Sequence, residues 1–151
     1  MKFYVLIFMT IFLIGCSDSE PGKSPVTNTV KVNAAKRHLD LSSVQHGQQL
    51  FLQNCAQCHG KQAEAKPDWK KTGADGKYPP PPLNGTAHAW HHSQSVLHKV
   101  IKNGTLHLGG SMPAWKGKLT DKEIDDIIVW IKAIWPDKVY QAWQSRNGPS
   151  S

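Results

Sequence analysis

Hydrophobic residues in this chain fall into one unbroken run and three periodic stretches. Phe3 to Ile14 is a run of twelve residues, apolar apart from Thr10. It is too short to span a bilayer and suits the core of a signal peptide, with Lys2 as its positive start. Residues 17 to about 32 are rich in Ser, Pro, Thr, Asn, Gly and charge, with almost no large apolar side chains. That composition predicts a flexible tether. The first periodic stretch, Ser43 to Cys55, predicts a helix with Gly47, Leu50, Phe51 and Leu52 turned inward. The second, Ser95 to Asn103, places Val96, Leu97, Val100 and Ile101 at helical spacing and stops at Gly104. The third opens with Thr120 and has Glu123 three residues on, the pattern of a capping box. Ile124, Ile127, Ile128, Ile131 and Ile134 or Trp135 then recur on one face, and Pro136 ends it. No segment alternates with the period of a strand, so the predicted fold class is all-α. The expected division is a signal peptide over 1–15, a tether over 16–39, one small domain over 40–145 and a disordered tail over 146–151.

The first predicted helix runs into Cys55-Ala56-Gln57-Cys58-His59. Two thiols three positions apart, followed at once by a histidine, form the attachment pattern of a c-type haem. The cysteines add across the two vinyl groups of one porphyrin, and the adjacent imidazole is placed to ligate the iron. Half of a zinc site is one alternative, but no further cysteine follows to complete it. A redox dithiol is another, but that motif belongs to a βαβ context, which this pattern lacks. The domain is small enough that a largely apolar porphyrin would supply part of its interior. Between the first two predicted helices lies a loop region, Lys61 to Trp90, with four consecutive prolines at Pro79 to Pro82. Such a run is stiff and extended, and a loop this long in a small domain usually serves function.

Haem iron has a second axial position. Met112 is the only methionine left once Met1 and Met9 go with the signal, and it lies in Gly109-Gly110-Ser111-Met112-Pro113. The glycines let backbone approach a ring, Pro113 stiffens the loop, and a thioether raises the potential by favouring Fe(II). The rivals are His88, His91, His92, His98 and His107. A bis-histidine site would have a lower potential, and an open site would allow ligand or peroxide chemistry.

The third cysteine, Cys16, closes Leu13-Ile14-Gly15-Cys16, which resembles the bacterial lipobox. The resemblance implies cleavage before Cys16 and lipidation of its thiol, hence a membrane anchor. An ordinary signal peptide that happens to contain a cysteine is the alternative. With Cys16 lipidated and Cys55 and Cys58 holding haem, no cysteine remains for a disulfide. The net charge is +7 before removal of the signal and +6 after it, since that segment carries one lysine and no acid. A moderately basic exported protein suits acidic partner surfaces, and the scattered lysines do not suit nucleic acid.

Taken together, these residues resemble the class I c-type cytochromes of the bacterial single-haem kind. The resemblance rests on Gly47 and Phe51, Cys55, Cys58 and His59, Pro82 to Gly85, Ile101 to Gly104, Met112-Pro113 and the helix bearing Trp130. It implies a helical domain wrapped around one covalent haem c, with His59 and Met112 on the iron. First and last helices would cross at Gly47, with Phe51 and Trp130 packed there. A carbonyl of the proline run, taken as that of Pro82, would accept the His59 ring N–H. Trp90, in the ring-rich His88 to His92 segment, would line the haem crevice. A surface copper or zinc site and a plain solvated turn are the other readings of that segment. The function implied is one-electron transfer between redox partner proteins, through a haem edge ringed by lysines such as Lys61, Lys102, Lys116 and Lys118. The alternatives are a haem subunit of a membrane-associated oxidoreductase complex, and a haem-based sensor or peroxidase.

Overall fold

The computed structural model describes residues 27–148. The signal segment, Cys16, most of the expected tether and the last three residues lie outside the described residues. Six helices run in order: α1 (Asn28–Lys36), α2 (Leu41–Asn54), α3 (Ala56–His59), α4 (Gln94–Asn103), α5 (Asp121–Ile134) and α6 (Asp137–Asn147). Single 3₁₀ turns at Ala89–His91 and Leu106–Leu108 flank α4. Among the described residues there is no strand, only an isolated bridge between Lys116 and Leu119. No helix among them is long and apolar enough to cross a membrane.

Side-chain caps set four of the helix starts, the first being Thr27 Oγ1, which accepts from the Val30 amide at 3.4 Å to open α1. Asp40 accepts from the Ser43 amide at 2.7 Å to open α2, and Ser93 accepts from the Val96 amide at 3.3 Å to open α4. At α5 the capping box closes both ways: the Glu123 amide donates to Thr120 Oγ1 at 3.2 Å, and the Thr120 amide donates to Glu123 Oε2 at 2.7 Å. These caps move the starts of α2 and α4 by one or two residues from the predicted ones.

The core is the crossing of α2 and α5. A Cβ on Gly47 would lie 1.9 Å from the Asp126 carbonyl oxygen, so the two backbones meet where no other side chain fits. One turn further along α2, the rings of Phe51 and Trp130 pack with centroids 4.5 Å apart. Val44, Phe51, Ile124, Ile127 and Ile128 are sealed from solvent around this point. Leu52, expected inward, is half-buried, and Val44 takes the inner place instead.

The two ends of the chain depart from expectation. Asn28–Lys36, inside the expected tether, is a helix that packs on α5 through Val30 and Ala34. Arg37, which follows it, is buried. Its guanidinium donates to the carbonyls of Lys132 at 2.7 Å and Trp135 at 2.8 Å, and to Asp137 Oδ1 at 2.8 Å. It therefore satisfies the orphan carbonyls at the C-terminal end of α5. Asn33 adds a bond to the Ala133 carbonyl at 3.0 Å. At the other end, α5 stops at Ile134, before Pro136, as expected, but a further helix follows. Pro136 is the N-cap of α6, which runs to Asn147 and buries Tyr140 and Trp143. The folded unit thus extends over both the end of the predicted tether and the start of the predicted tail.

Candidate haem site

Helix α2 ends at Asn54, with Cys55 as its cap, and α3 carries the rest of the motif as one short turn. The Cys58 and His59 amides both donate to the Cys55 carbonyl, at 3.0 and 2.9 Å, so the two thiols and the imidazole share one rigid turn. Cys55 and Cys58 are free thiols, the first half-buried and the second exposed. Burial, reinforced by Cys58, pushes the Cys55 thiol up to about 11.

His59 is buried, and its Nδ1 lies 2.9 Å from the Pro81 carbonyl oxygen. A carbonyl only accepts, so Nδ1 carries the proton and the Nε2 lone pair is left to bind a metal. Burial holds the His59 imidazole below its usual value, partly offset by the Pro81 carbonyl, which keeps the ring neutral. The accepting residue is Pro81 rather than the expected Pro82. Pro82 is the more buried of the two, but the chain direction presents the carbonyl before it.

The segment after His59 is tightly folded. The Ala65 amide donates to the His59 carbonyl at 2.8 Å, and Ala63, fully buried, adopts a left-handed φ of 57°. Such a conformation at a non-glycine residue costs on the order of 1–3 kcal/mol and persists where the surroundings over-determine it. Here the Ala63 carbonyl receives both the Leu83 amide at 2.8 Å and the Asn84 amide at 3.2 Å.

The Met112 loop is built from the end of α4. Gly104 has φ 67°, and a Cβ there would lie 2.6 Å from the carbonyl oxygen of Met112. Thr105 clamps the loop in both directions: its amide donates to the Met112 carbonyl at 2.9 Å, and its hydroxyl accepts from the Met112 amide at 3.1 Å. Met112 itself is half-buried. Helix α4 buries none of its residues, although Val96, Leu97, Val100 and Ile101 recur at helical spacing. An apolar helix face and a glycine-rich loop that protein side chains cover only in part fit a flat apolar group, and the histidine and the two thiols fit its iron and its vinyl carbons.

Of the rival histidines, His98 is engaged elsewhere. Its two ring nitrogens face Asp125 Oδ1 at 3.0 Å and Asp121 Oδ1 at 3.2 Å, and these contacts raise its pKa. Trp90 packs edge-on to His91, with the Arg146 guanidinium 5.2 Å from its ring centroid. It thus helps to join the Ala89–His91 turn to α6. The rings of His88 and His92 meet edge to face at 5.8 Å. Among the described residues no group of three or more His, Cys, Asp or Glu is placed to hold a metal ion. Lys102 is paired with Asp121 at 2.7 Å, and Lys118 lies 5.6 Å from the Trp115 ring centroid. Arg37 has no counterpart among the residues expected from the sequence, where Trp135 figures only on the apolar face of the third helix and Pro81 only within the proline run. That only two of the cations are arginines was the one available hint, since arginine is the cation suited to buried carbonyl clusters.

A family model described as "Cytochrome C oxidase, cbb3-type, subunit III" matches residues 42–131. The chain belongs to that family. It is a class I c-type cytochrome, helical and of a family that carries haem c. The matched stretch runs from the start of α2 through most of α5, and it contains Cys55, Cys58, His59 and Met112. Among curated cytochromes, this chain is 30% identical over 97 residues to a cbb3-type cytochrome c oxidase subunit CcoP of Azospirillum brasilense, covering 64% of this chain and 30% of that protein. It is also 30% identical over 88 residues to a subunit FixP of Bradyrhizobium sp. (strain ORS 278), covering 58% of this chain and 26% of that protein. The match thus spans less than a third of the length of these relatives. A crystal structure of cytochrome CL from Methylophaga aminisulfidivorans MPT aligns over 88% of this chain and 86% of its own, with 20% identity and a TM-score of 0.48.

Proposed function

We propose that this cytochrome is a one-electron carrier with one covalent haem c, ligated by His59 and Met112 and held by Cys55 and Cys58, on the outer face of a bacterial membrane. Lipidated Cys16 is its anchor in this reading. The observation that carries the proposal is the bond from His59 Nδ1 to the Pro81 carbonyl. It fixes the tautomer, orients the ring and leaves Nε2 as a neutral donor, as a permanent iron ligand requires. When bound, haem supplies a reversible Fe(III)/Fe(II) couple.

The chain's own residues hold that couple in place. The α3 turn keeps His59 and both thiols in register, so the proximal side does not rearrange when the charge on the iron changes. Thr105 and Gly104 set the Met112 backbone from both directions, which favours retention of the thioether in either oxidation state. The neutral His59 ring and neutral thioether add no charge of their own and favour Fe(II), which gives a higher potential than two imidazoles would.

A second reading is that the chain serves as a haem subunit of a membrane-associated oxidoreductase complex. It is favoured by the similarity to the CcoP and FixP subunits of cbb3-type oxidases. Solubilising membranes gently and sizing the haem-stained band separates the two readings: a free carrier migrates alone, and a subunit migrates with its complex. The main proposal is tested on the holoprotein. The expected results are haem retained through denaturation, a low-spin spectrum with the weak long-wavelength band of sulfur–iron ligation in the oxidised form, and one reversible electron in a redox titration. Fast, full binding of carbon monoxide by the reduced protein at neutral pH would overturn it.

A further inference from the structure

The proline run that supports His59 cannot fasten itself. Pro79 to Pro82 have no backbone N–H to donate. Leu83 is the first residue beyond them that has one, and it is gripped on both sides. Its amide donates to the Ala63 carbonyl at 2.8 Å, and its carbonyl accepts the indole N–H of Trp135 at 2.8 Å. Trp135 is fully buried at the end of α5, and its own carbonyl accepts from Arg37 at 2.8 Å. One path of bonds therefore runs from Arg37 through Trp135 to Leu83, two residues from the carbonyl that holds the His59 ring.

We propose that Trp135 is a positioning residue for the proximal histidine, acting through the Leu83 carbonyl to hold the Pro81 carbonyl against His59 Nδ1–H. The inference rests on the reading of His59 as an iron ligand. The N–H to carbonyl bond leaves more electron density on the ring and so stabilises Fe(III). Loosening Leu83 lengthens that bond, exposes the ring N–H to solvent and raises the potential. Ala63 holds Leu83 from the side of the haem motif, and Trp135 holds it from the terminal helix. The indole is therefore the link by which the far end of the domain reaches the iron.

Trp143 provides an internal control. It is buried in the same region and also donates its indole N–H to a backbone carbonyl, that of His92, at 2.9 Å. The test uses the full chain, matured with haem, as wild type and as the Trp135→Phe and Trp143→Phe variants. Proton NMR of the reduced protein reads solvent exchange of the His59 ring N–H, and a redox titration reads the potential. Trp135→Phe is expected to speed that exchange at least tenfold and to shift the potential upward. Trp143→Phe, which loses a bond of the same kind, is expected to leave both at wild-type values. Wild-type exchange and potential in Trp135→Phe, or equal movement in Trp143→Phe, overturns the proposal while the haem ligation stands. Should Trp135→Phe fail to mature, Arg37→Met, which frees the Trp135 carbonyl, decides: a shift in the same direction sustains the proposal, and no shift overturns it. A low-spin spectrum that survives in His59→Ala overturns the ligation reading and this inference with it.

Discussion

The α2–α5 crossing and the α4–Met112 side are both apolar, but they are finished differently. At the crossing, protein atoms fill the space: backbone meets backbone at Gly47, Phe51 meets Trp130, and five isoleucine, valine and phenylalanine side chains are sealed. On the α4 side, backbone hydrogen bonds hold the loop while its apolar residues are covered only in part by protein. Val96 is 42% exposed, Leu106 61% and Leu108 71%. The first region specifies the fold, and the second specifies what the fold receives. A sequence can be hydrophobic for either reason, and periodicity alone does not separate them.

Substitutions should therefore fail in different ways in the two regions. Gly47→Leu is expected to have the largest effect. The added side chain meets the Asp126 carbonyl, the helices must part, and the cost should exceed about 3 kcal/mol. Little mature haem protein should accumulate, and a normal yield with a normal melting temperature would refute the crossing as described. Gly104→Ala comes next. A positive φ and a backbone collision together should cost ~1–3 kcal/mol. The sulfur–iron band should weaken more than the helical circular dichroism does, and equal loss of both would erase the contrast between the regions.

Asp126→Asn probes the polar rim of the crossing. Burial alone would raise this carboxyl, but hydrogen bonds from Lys122, His46 and Ser43 outweigh it and hold it below its usual 3.8. A folded pKa below the unfolded one gives stability that is present at neutral pH and lost as pH falls through the folded value. The variant should lose about 1–2 kcal/mol at pH 7 and show a flatter acid limb in thermal melts. His98→Gln should have the smallest effect. Asp125 and Asp121 raise the His98 pKa above 6.5, so its contribution is full below about pH 6.5 and fades as pH rises through the folded value. Wild type and variant should differ by less than about 1 kcal/mol at pH 5.5 and converge near pH 9. A difference that grew with pH would reverse the assigned sign.

What could be read from the sequence was local or covalent in origin. The capping box at Thr120 and Glu123 is a matter of three residues, and the haem motif is a matter of five. The crossing at Gly47 was expected from resemblance, and the structure bears it out. What escaped depends on contacts across the chain. Helix α1 buries only Val30 and Ala34 and leaves Val32 exposed, and only the α5 carbonyls it meets make Arg37 structural. Helix α6 buries only two aromatic residues, three apart, with Val139 partly buried beside them, so periodicity gives little sign of it. The choice between Pro81 and Pro82 is one of carbonyl direction, which composition does not encode. The contacts of Trp90 with His91 and Arg146 depend on how the Ala89–His91 turn meets α6, which no local pattern announces.

The close approach at Gly47 also makes α2 a measuring rod. Cys55 lies eight residues beyond that fixed point, about 12 Å along the axis at 1.5 Å per residue. Adding or deleting a single residue between them would carry the thiol about 1.5 Å along the helix and swing it roughly 100° around the axis. The spacing from pivot to thiol is therefore as strict as the spacing between the thiols themselves. A chain that keeps this crossing cannot change that count.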